Sequence, residues 1–397
     1  MERIEIAVIG NGIIGTLAAW KLSEAGFRVA LVGKAGRPDS ASMAAGAMLN
    51  VLGEVDAELD DYGRRKLAIG ERALGLWRNL LPPEIYVADK THIYRRDGGT
   101  ALEGKAFAAI AAAAKSRPER QTDRDICVLP DEPAVSTPAL FAWLDAKLRG
   151  RNVPILETVP KADKFVHCSG AFTKVPGALP LYFGVGNAMT VRDIKLDIPA
   201  RTVMRTPNRG NTCGLHIVPR GDCYYVGAGS YIATGPSEGY RIETLRYLIA
   251  CLESDFGVDT WQASIQPIKG YRPVALDGKP MLGPMRDNPS VYVATGTKRD
   301  GLTYAPVIAE DIIAWATNGP RSAFAGWEPD RAPISFGPRE YAIEMYIENR
   351  LAALHEHGRD AKVDDVRRDA EAAYKRGHEH FKVPATFGFH PEMLHVI

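Results

Sequence analysis

The sequence predicts an α/β protein. A doubly wound, parallel-sheet domain is interleaved with an α+β domain of mixed sheet, and a helical C-terminal extension follows. Three observations predict it. Ile4 to Val32 reads as strand, glycine turn, helix and strand. Strand-like and helix-like patterns then alternate along the chain instead of separating into two blocks, which points to two domains woven together. Beyond residue 337, two further amphipathic stripes remain that neither domain needs.

The 397 residues are enough for two domains and an extension. A hydrophobic fraction of 46% and a formal charge of +1 describe an ordinary globular chain, with no basic excess to suggest nucleic acid. No apolar run approaches the roughly eighteen residues that span a membrane. The first strand begins at once, without a signal-peptide pattern, so a cytoplasmic protein is expected. Cys127, Cys168, Cys213, Cys223 and Cys251 are odd in number and lack CxxC spacing. They read as small buried side chains in a reducing compartment, not as a disulfide framework.

The first element is the most informative. Ile4, Ile6, Val8 and Ile9 form an apolar run that ends at Gly10-Asn11-Gly12-Ile13-Ile14-Gly15. An alanine-rich helix follows from Ile13 to Ala25, Gly26 ends it, and Phe27 to Val32 supplies the second strand. This is a Rossmann-type unit. Its first glycine permits the tight turn, the second lets backbone approach a pyrophosphate, and the third lets helix and strand pack closely. Unpaired N–H groups at the positive helix end face the phosphates. A ribose-binding acid is expected at the end of the second strand, yet that place reads Val32-Gly33-Lys34. Such a charge-assisted hydrogen bond is worth roughly 1.5–3 kcal/mol. Lys34 and Arg37 suit a 2′-phosphate, so locally both FAD and NADP stay open.

A small-residue stretch from Ala41 to Leu49 offers few side chains to obstruct a flat ligand. A helix from about Asp60 to Leu81 has Leu67, Leu74, Trp77 and Leu81 on one stripe and stops at Pro82-Pro83. Thr91 to Arg96 reads as a strand, Ala101 to Lys115 as a helix, and Pro118 to Asp125 as a charged loop. Pro138 to Arg149 is a helix, and Val153 to Glu157 and Phe165 to Cys168 read as buried strands. Strands at Thr202–Thr206, Leu215–Pro219 and Tyr224–Ala228 precede a helix at Arg241–Phe256. A strand at Val291–Thr295 and a helix from Pro306 to Thr317 close the second half. In the tail, Ile343, Ile347, Leu351 and Leu354 make one stripe, and Val363, Val366, Ala370, Tyr374 and Phe381 another. A helical hairpin packed on the body or on a second subunit satisfies both. The i,i+2 pairs His355/His357 and His378/His380 fall on different helix faces, so solvated surface is expected there and no metal site.

Four blocks in order give the chain a resemblance to the D-amino-acid oxidase-like FAD enzymes, most closely the glycine oxidase branch, over roughly residues 4 to 320. They are Gly10–Gly15; Ser42–Leu49; Cys168-Ser169-Gly170-Ala171-Phe172; and Gly270-Tyr271-Arg272-Pro273 through Asp277-Gly278-Lys279-Pro280, followed by Gly296 to Gly301. The resemblance implies non-covalent FAD laid across the glycine turn. Contacts are implied from Gly10, Gly12, Ile13, Ile14, Gly15, Lys34, Ser42, Gly46, Ala47, Met48 and Gly170. Val159 is implied on the adenine side, and Arg299, Asp300, Gly301, Leu302 and Thr303 at the pyrimidine end of the flavin. It further implies that Arg272 binds a substrate carboxylate with Arg299 close by. The domains implied are 1–85, 125–172 and 265–330 for FAD, 86–124 and 173–264 for substrate, and 331–397 for the extension.

The chemistry agrees. A guanidinium is a planar fork that grips a carboxylate bidentately, and oxidising a C–N bond depends on aiming the α-hydrogen at the flavin. The expected activity is therefore oxidation of an amino acid or N-substituted amino acid, with reoxidation by O₂ or another acceptor. A surface salt bridge is the plainer reading of Arg272. The chain departs from the family at Gly33, in the shortened segment between Leu156 and Phe165, and at His216, which stands where glycine oxidase carries a substrate-side tyrosine. His216 is read either as binding a second anion or titrating near neutral pH, or as an ordinary core histidine. Two other functions stay open: a partner-dependent or non-catalytic subunit that assembles, as homo-oligomer or complex, through the extension, and an NADP-dependent reductase.

Overall fold

The computed structural model describes residues 3–38, 40–55, 59–121, 123–208, 214–321, 323–356 and 358–397; Cys213 and His357 lie outside these. A six-stranded sheet runs in the order Met281–Pro284, Val291–Thr295, Ala162–His167, Ile4–Ile9, Val29–Val32, Ile155–Leu156. All its pairings are parallel except the first. The helix Ile13–Glu24 returns the chain from the central strand to its neighbour, as the glycine turn predicts. Leu17, Ala18 and Leu22 of that helix share a buried core with Ile308 and Ile312 of the helix Gly301–Ala316 and with Leu74 and Trp77 of the helix Asp61–Leu80. Trp77 is fully buried, and its Nε1 donates to the Leu302 carbonyl at 3.0 Å. One side chain thus ties the long helix to the first turn of another.

The second sheet has eight strands, in the order Ser264–Ala275, Leu181–Arg192, Cys223–Ala233, His216–Arg220, Thr202–Arg205, Lys90–Arg96, Arg124–Leu129, Glu119–Gln121. Only the contact between Thr202–Arg205 and Lys90–Arg96 is parallel, so the sheet is mixed as expected. Arg124–Leu129 and Ser264–Ala275 belong to this sheet, whereas the division by sequence set residues 125–129 and 265–275 with the FAD part.

Several elements depart from the sequence reading. Ser264–Ala275 and Leu181–Arg192, twelve residues each, pass unmarked in the sequence because glycines and prolines interrupt their apolar pattern. The charged stretch before Asp125 contains the exposed strand Glu119–Gln121, which has no apolar face to announce it. Ile155–Leu156 is an edge strand with Ile155 48% exposed, not a buried one. The helix expected from Pro306 begins at Gly301 and carries Pro306 inside it; the Leu302 carbonyl that the missing N–H leaves free accepts from Trp77 Nε1. From Leu156 to Ala162 the chain passes without another strand.

The extension forms the helices Arg339–Glu356 and Val363–Phe381 and a final turn at Pro391–His395. Its stripes close on its own chain. Ile343, Ile347, Val366, Tyr374, Phe389 and Met393 share a core with Tyr182, Ile232, Val274 and Leu276 of the second sheet. The tail histidines are not all solvated: His378 Nε2 lies 2.9 Å from the Phe387 carbonyl, and His390 packs edge-on against Phe336.

Candidate active site

A cavity of about 550 Å³ opens where four parallel strands end, at Ile9–Gly10, Val32–Gly33, Cys168–Ser169 and Ala294–Thr295, and faces Gly270–Pro273 of the second sheet. Ligands of open α/β sheets bind in this position. Of the residues the sequence nominates, Gly10, Gly12, Ile13, Ile14, Lys34, Ser42, Gly46, Ala47, Met48, Gly170, His216, Arg272 and Arg299 through Thr303 line it. Gly15 and Val159 do not. Val159 is 52% exposed in the link after the edge strand, outside the residues that line the cavity.

The three glycines of the turn do different work. Gly10 has φ +116°, and a Cβ there would sit 2.4 Å from the Cys168 carbonyl oxygen. Gly15 serves packing, since its Cβ would fall 1.8 Å from the Gly10 carbonyl oxygen. Gly12 is open: a Cβ would touch only Ser42 Oγ, at 3.4 Å. Its freedom matters to what enters the cleft, not to the fold. Ser42 Oγ accepts from the Ile13 N–H at 3.1 Å, so the small-residue stretch caps the helix that the glycines begin.

At Gly33 the space for an acidic side chain is taken. A Cβ there would lie 2.2 Å from Asn11 Cγ. Asn11 Nδ2 donates to the Lys34 carbonyl at 2.8 Å, which locks the amide across the strand end. Arg37 is committed as well: Nε donates to the Asn11 carbonyl at 2.8 Å, Nη2 to Asp145 at 2.5 Å, and the guanidinium stacks 4.3 Å over Phe141. The expectation that Arg37 meets a 2′-phosphate therefore fails on its existing partners.

Ala41 to Ala47 lies against the second sheet. Tyr225 hydroxyl donates to the Ala44 carbonyl at 3.1 Å and Arg220 Nη2 to the Ala45 carbonyl at 2.7 Å. A Cβ on Gly270 would meet Ala44 Cβ at 2.6 Å, so this glycine lets the two segments close. Ala47 holds φ +59°, a left-handed conformation unusual for alanine.

Arg272 has no ion pair among the described residues. It sits on Ser264–Ala275, and its guanidinium crosses onto the neighbouring strand, where a Cβ on Gly186 would be 2.9 Å from Arg272 Cζ. Arg272 Nη1 is buried without a hydrogen-bond partner among the described residues. Among the described residues it makes no salt bridge. A buried donor left unmade costs about 1–3 kcal/mol, so it awaits an acceptor.

A second charged group forms the adjoining wall. Arg205, 2% exposed, donates from Nη1 to Glu54 Oε1 at 2.9 Å, while Arg299 Nε lies 3.3 Å from Glu54 Oε2. Burial pushes the Glu54 carboxyl up, but Arg299 and Arg205 outweigh it and hold the group well below the usual range. Asp300 is bound by Lys66 at 2.8 Å and heads the helix Gly301–Ala316, whose first N–H groups meet the cavity. The sequence reading missed Glu54, Arg205 and Asn11. A lone arginine inside the apolar run Thr202-Val203-Met204-Arg205 was the available signal, because such a charge is buried only when paired.

His216 Nδ1 lies 3.0 Å from the Gly214 carbonyl, and its ring stacks on Tyr225. Burial drives its pKa down to about 3, with Arg205 and Arg272 pushing the same way. The ring is neutral at physiological pH, which corrects the expectation that it titrates near neutrality or binds an anion by charge. His390 is likewise pushed down to about 3, by burial and by Lys298. Because both folded values lie below the unfolded one, their stabilisation is complete above about pH 6.5 and is lost as pH falls toward about 3, at up to ~1.4 kcal/mol per pH unit each. His216→Gln and His390→Gln should each flatten the fall of Tm between about pH 6 and 4. An unchanged slope in thermal melts counts against the neutral buried rings.

These features define a class. The chain belongs to the FAD dependent oxidoreductase family, whose model matches residues 5–144 and 143–315. It is an FAD-dependent oxidoreductase, as the four blocks led one to expect. Its fold is similar to that of glycine oxidase from Geobacillus kaustophilus, with TM-score 0.69 and 19% identity over 84% of this chain and 100% of that one. It is also similar to L-proline dehydrogenase from P. horikoshii, with 0.68 and 16% over 83% and 98%. Iminodiacetate oxidase from Chelativorans sp. BNC1 gives 0.65 and 18% over 83% and 100%. No curated protein matches the chain by sequence. Among the described residues no helix is long and apolar enough to cross a membrane.

Proposed function

We propose that the protein oxidises the C–N bond of a small amino acid or N-substituted amino acid, with FAD held non-covalently. The buried Nη1 of Arg272, without a partner among the described residues at the cavity wall, is the observation that carries this reading. A substrate carboxylate satisfies it with a charge-assisted bond.

The residues fit the flavin. The open face of Gly12 and the first N–H groups of the helix Ile13–Glu24 suit a pyrophosphate. Asn11 Oδ1, not engaged by another group among the described residues, supplies a ribose acceptor in place of the missing carboxylate. The N-terminus of Gly301–Ala316 favours negative charge at the far end of the cavity. FAD, when bound, would supply the two-electron acceptor for this oxidation.

The rest falls to the side chains. Arg272 fixes the substrate by its carboxylate, so that the α-hydrogen points one way. The Glu54–Arg205–Arg299 group keeps the adjoining wall rigid. Neutral His216 is too weak a base to take a proton at neutral pH. The reacting amine must be neutral, and the imine hydrolyses after release. The relatives named above are described as acting on glycine, L-proline and iminodiacetate, which supports an amino acid or secondary amine.

An absorbance spectrum of the native protein is the direct test. Flavin bands that bleach on anaerobic addition of one member of a panel of amino and N-substituted amino acids are the expected result. A flavin-loaded protein unmoved by every member removes the substrate class. Colourless protein that takes up no added FAD removes the cofactor assignment.

A further inference from the structure

The C-terminal extension, which lies beyond the residues the family model matches, reaches back to the cavity. Glu392, in the last turn of the chain, places Oε2 2.8 Å from Lys298 Nζ, with the two side chains only 27% and 20% exposed. Lys298 precedes Arg299 in the cavity wall and is held in a left-handed conformation, φ +50°. Its N–H donates to the Pro273 carbonyl at 2.9 Å, one residue beyond Arg272. The turn is therefore held at both ends: by its backbone to the strand bearing Arg272, and by its side chain to the C-terminus.

Other contacts brace this point. The extension packs on Val274 and Leu276, directly after the same strand segment. The His390 ring lies 3.4 Å from where a Gly278 Cβ would stand. Asp277 accepts from Arg331 Nη2 at 2.9 Å and from the Ile334 N–H at 3.1 Å, where the chain enters the extension. Burial pushes the Glu392 carboxyl up, yet Lys298, His390 and Arg299 outweigh it and bring it down to about 2. It stays ionised throughout the working range.

We infer that Glu392 is a positioning residue. Through Lys298 it holds the strained turn 297–300 and so fixes where Arg299 and the first N–H groups of Gly301–Ala316 meet the flavin. A non-glycine residue at positive φ costs of order 1–3 kcal/mol and persists only where its surroundings over-determine it. Glu392 is one of those surroundings. The inference rests on the FAD reading, and the test separates the two.

The measurement is FAD affinity of the full-length apoprotein, with backbone amide exchange of residues 297–300 recorded before flavin is added. Glu392→Gln and Lys298→Met should each weaken FAD about tenfold, the scale for a contact one step removed from the ligand. Exchange of 297–300 should quicken in both. The swap Lys298→Glu with Glu392→Lys should recover most of the affinity lost by Glu392→Lys alone. Variants with lowered Tm but wild-type affinity and wild-type exchange overturn the inference and leave Glu392 a structural staple. Failure of the swap to rescue also counts against it. If the wild-type protein binds no FAD, the cofactor reading has failed, and exchange at 297–300 alone decides whether Glu392 holds the turn.

Discussion

Arg272→Ala is expected to leave a folded, yellow protein whose kcat/KM has fallen by about a hundredfold or more. Two charge-assisted hydrogen bonds, each worth roughly 1.5–3 kcal/mol, go with the guanidinium. The loss should reach kcat as well as KM, because the fork sets the orientation of the α-carbon and not affinity alone. FAD stays bound, since the glycine turn and its helix lie on the other sheet. Arg272→Lys keeps the charge but not the planar fork and should recover only part of the rate. Steady-state kinetics on the substrate identified by flavin bleaching decide the matter. A change of less than threefold in the alanine variant would remove Arg272 from the site.

Gly12→Val should give the opposite result, a folded protein unable to hold FAD. The backbone at Gly12 is ordinary for an L-residue, φ −68° and ψ −174°, and a Cβ meets only Ser42 Oγ at 3.4 Å. The apoprotein therefore melts near the wild-type temperature. The isopropyl group, however, occupies the face across which a pyrophosphate must approach the helix N-terminus. A loss of affinity of at least about a hundredfold, near 3 kcal/mol, is expected. Gly15→Ala provides the contrast, because its Cβ cannot stand 1.8 Å from the Gly10 carbonyl oxygen. That variant should fail in stability first. A Gly12→Val protein purified with full flavin shows that the turn does not face the pyrophosphate.

The nucleotide-binding unit was legible because its information is local: a run of apolar residues, a glycine turn and a helix follow one another within the chain. Arg272 was legible through the resemblance, in a block of residues with fixed spacing. The strand beside it was not. In Leu181–Arg192, Gly184 and Gly186 read as breakers, whereas they make room for Arg272, whose side chain crosses from the next strand. The Glu54–Arg205 pair joins residues 151 positions apart, and neither segment alone names the other. The same holds for Lys298 and Glu392. The stripes of the extension announced two helices but not the surface they cover, since an apolar face states only that something must be covered.

Asn11 and Gly33 are mutually constrained in a way that bears on how this chain can change. A carboxylate introduced at position 33 would be driven into the Asn11 amide, so the first step toward the usual ribose acid is harmful by itself. Shortening Asn11 alone removes the bond to the Lys34 carbonyl and leaves a gap. The order of change is therefore constrained: position 11 must become smaller before position 33 can carry a side chain.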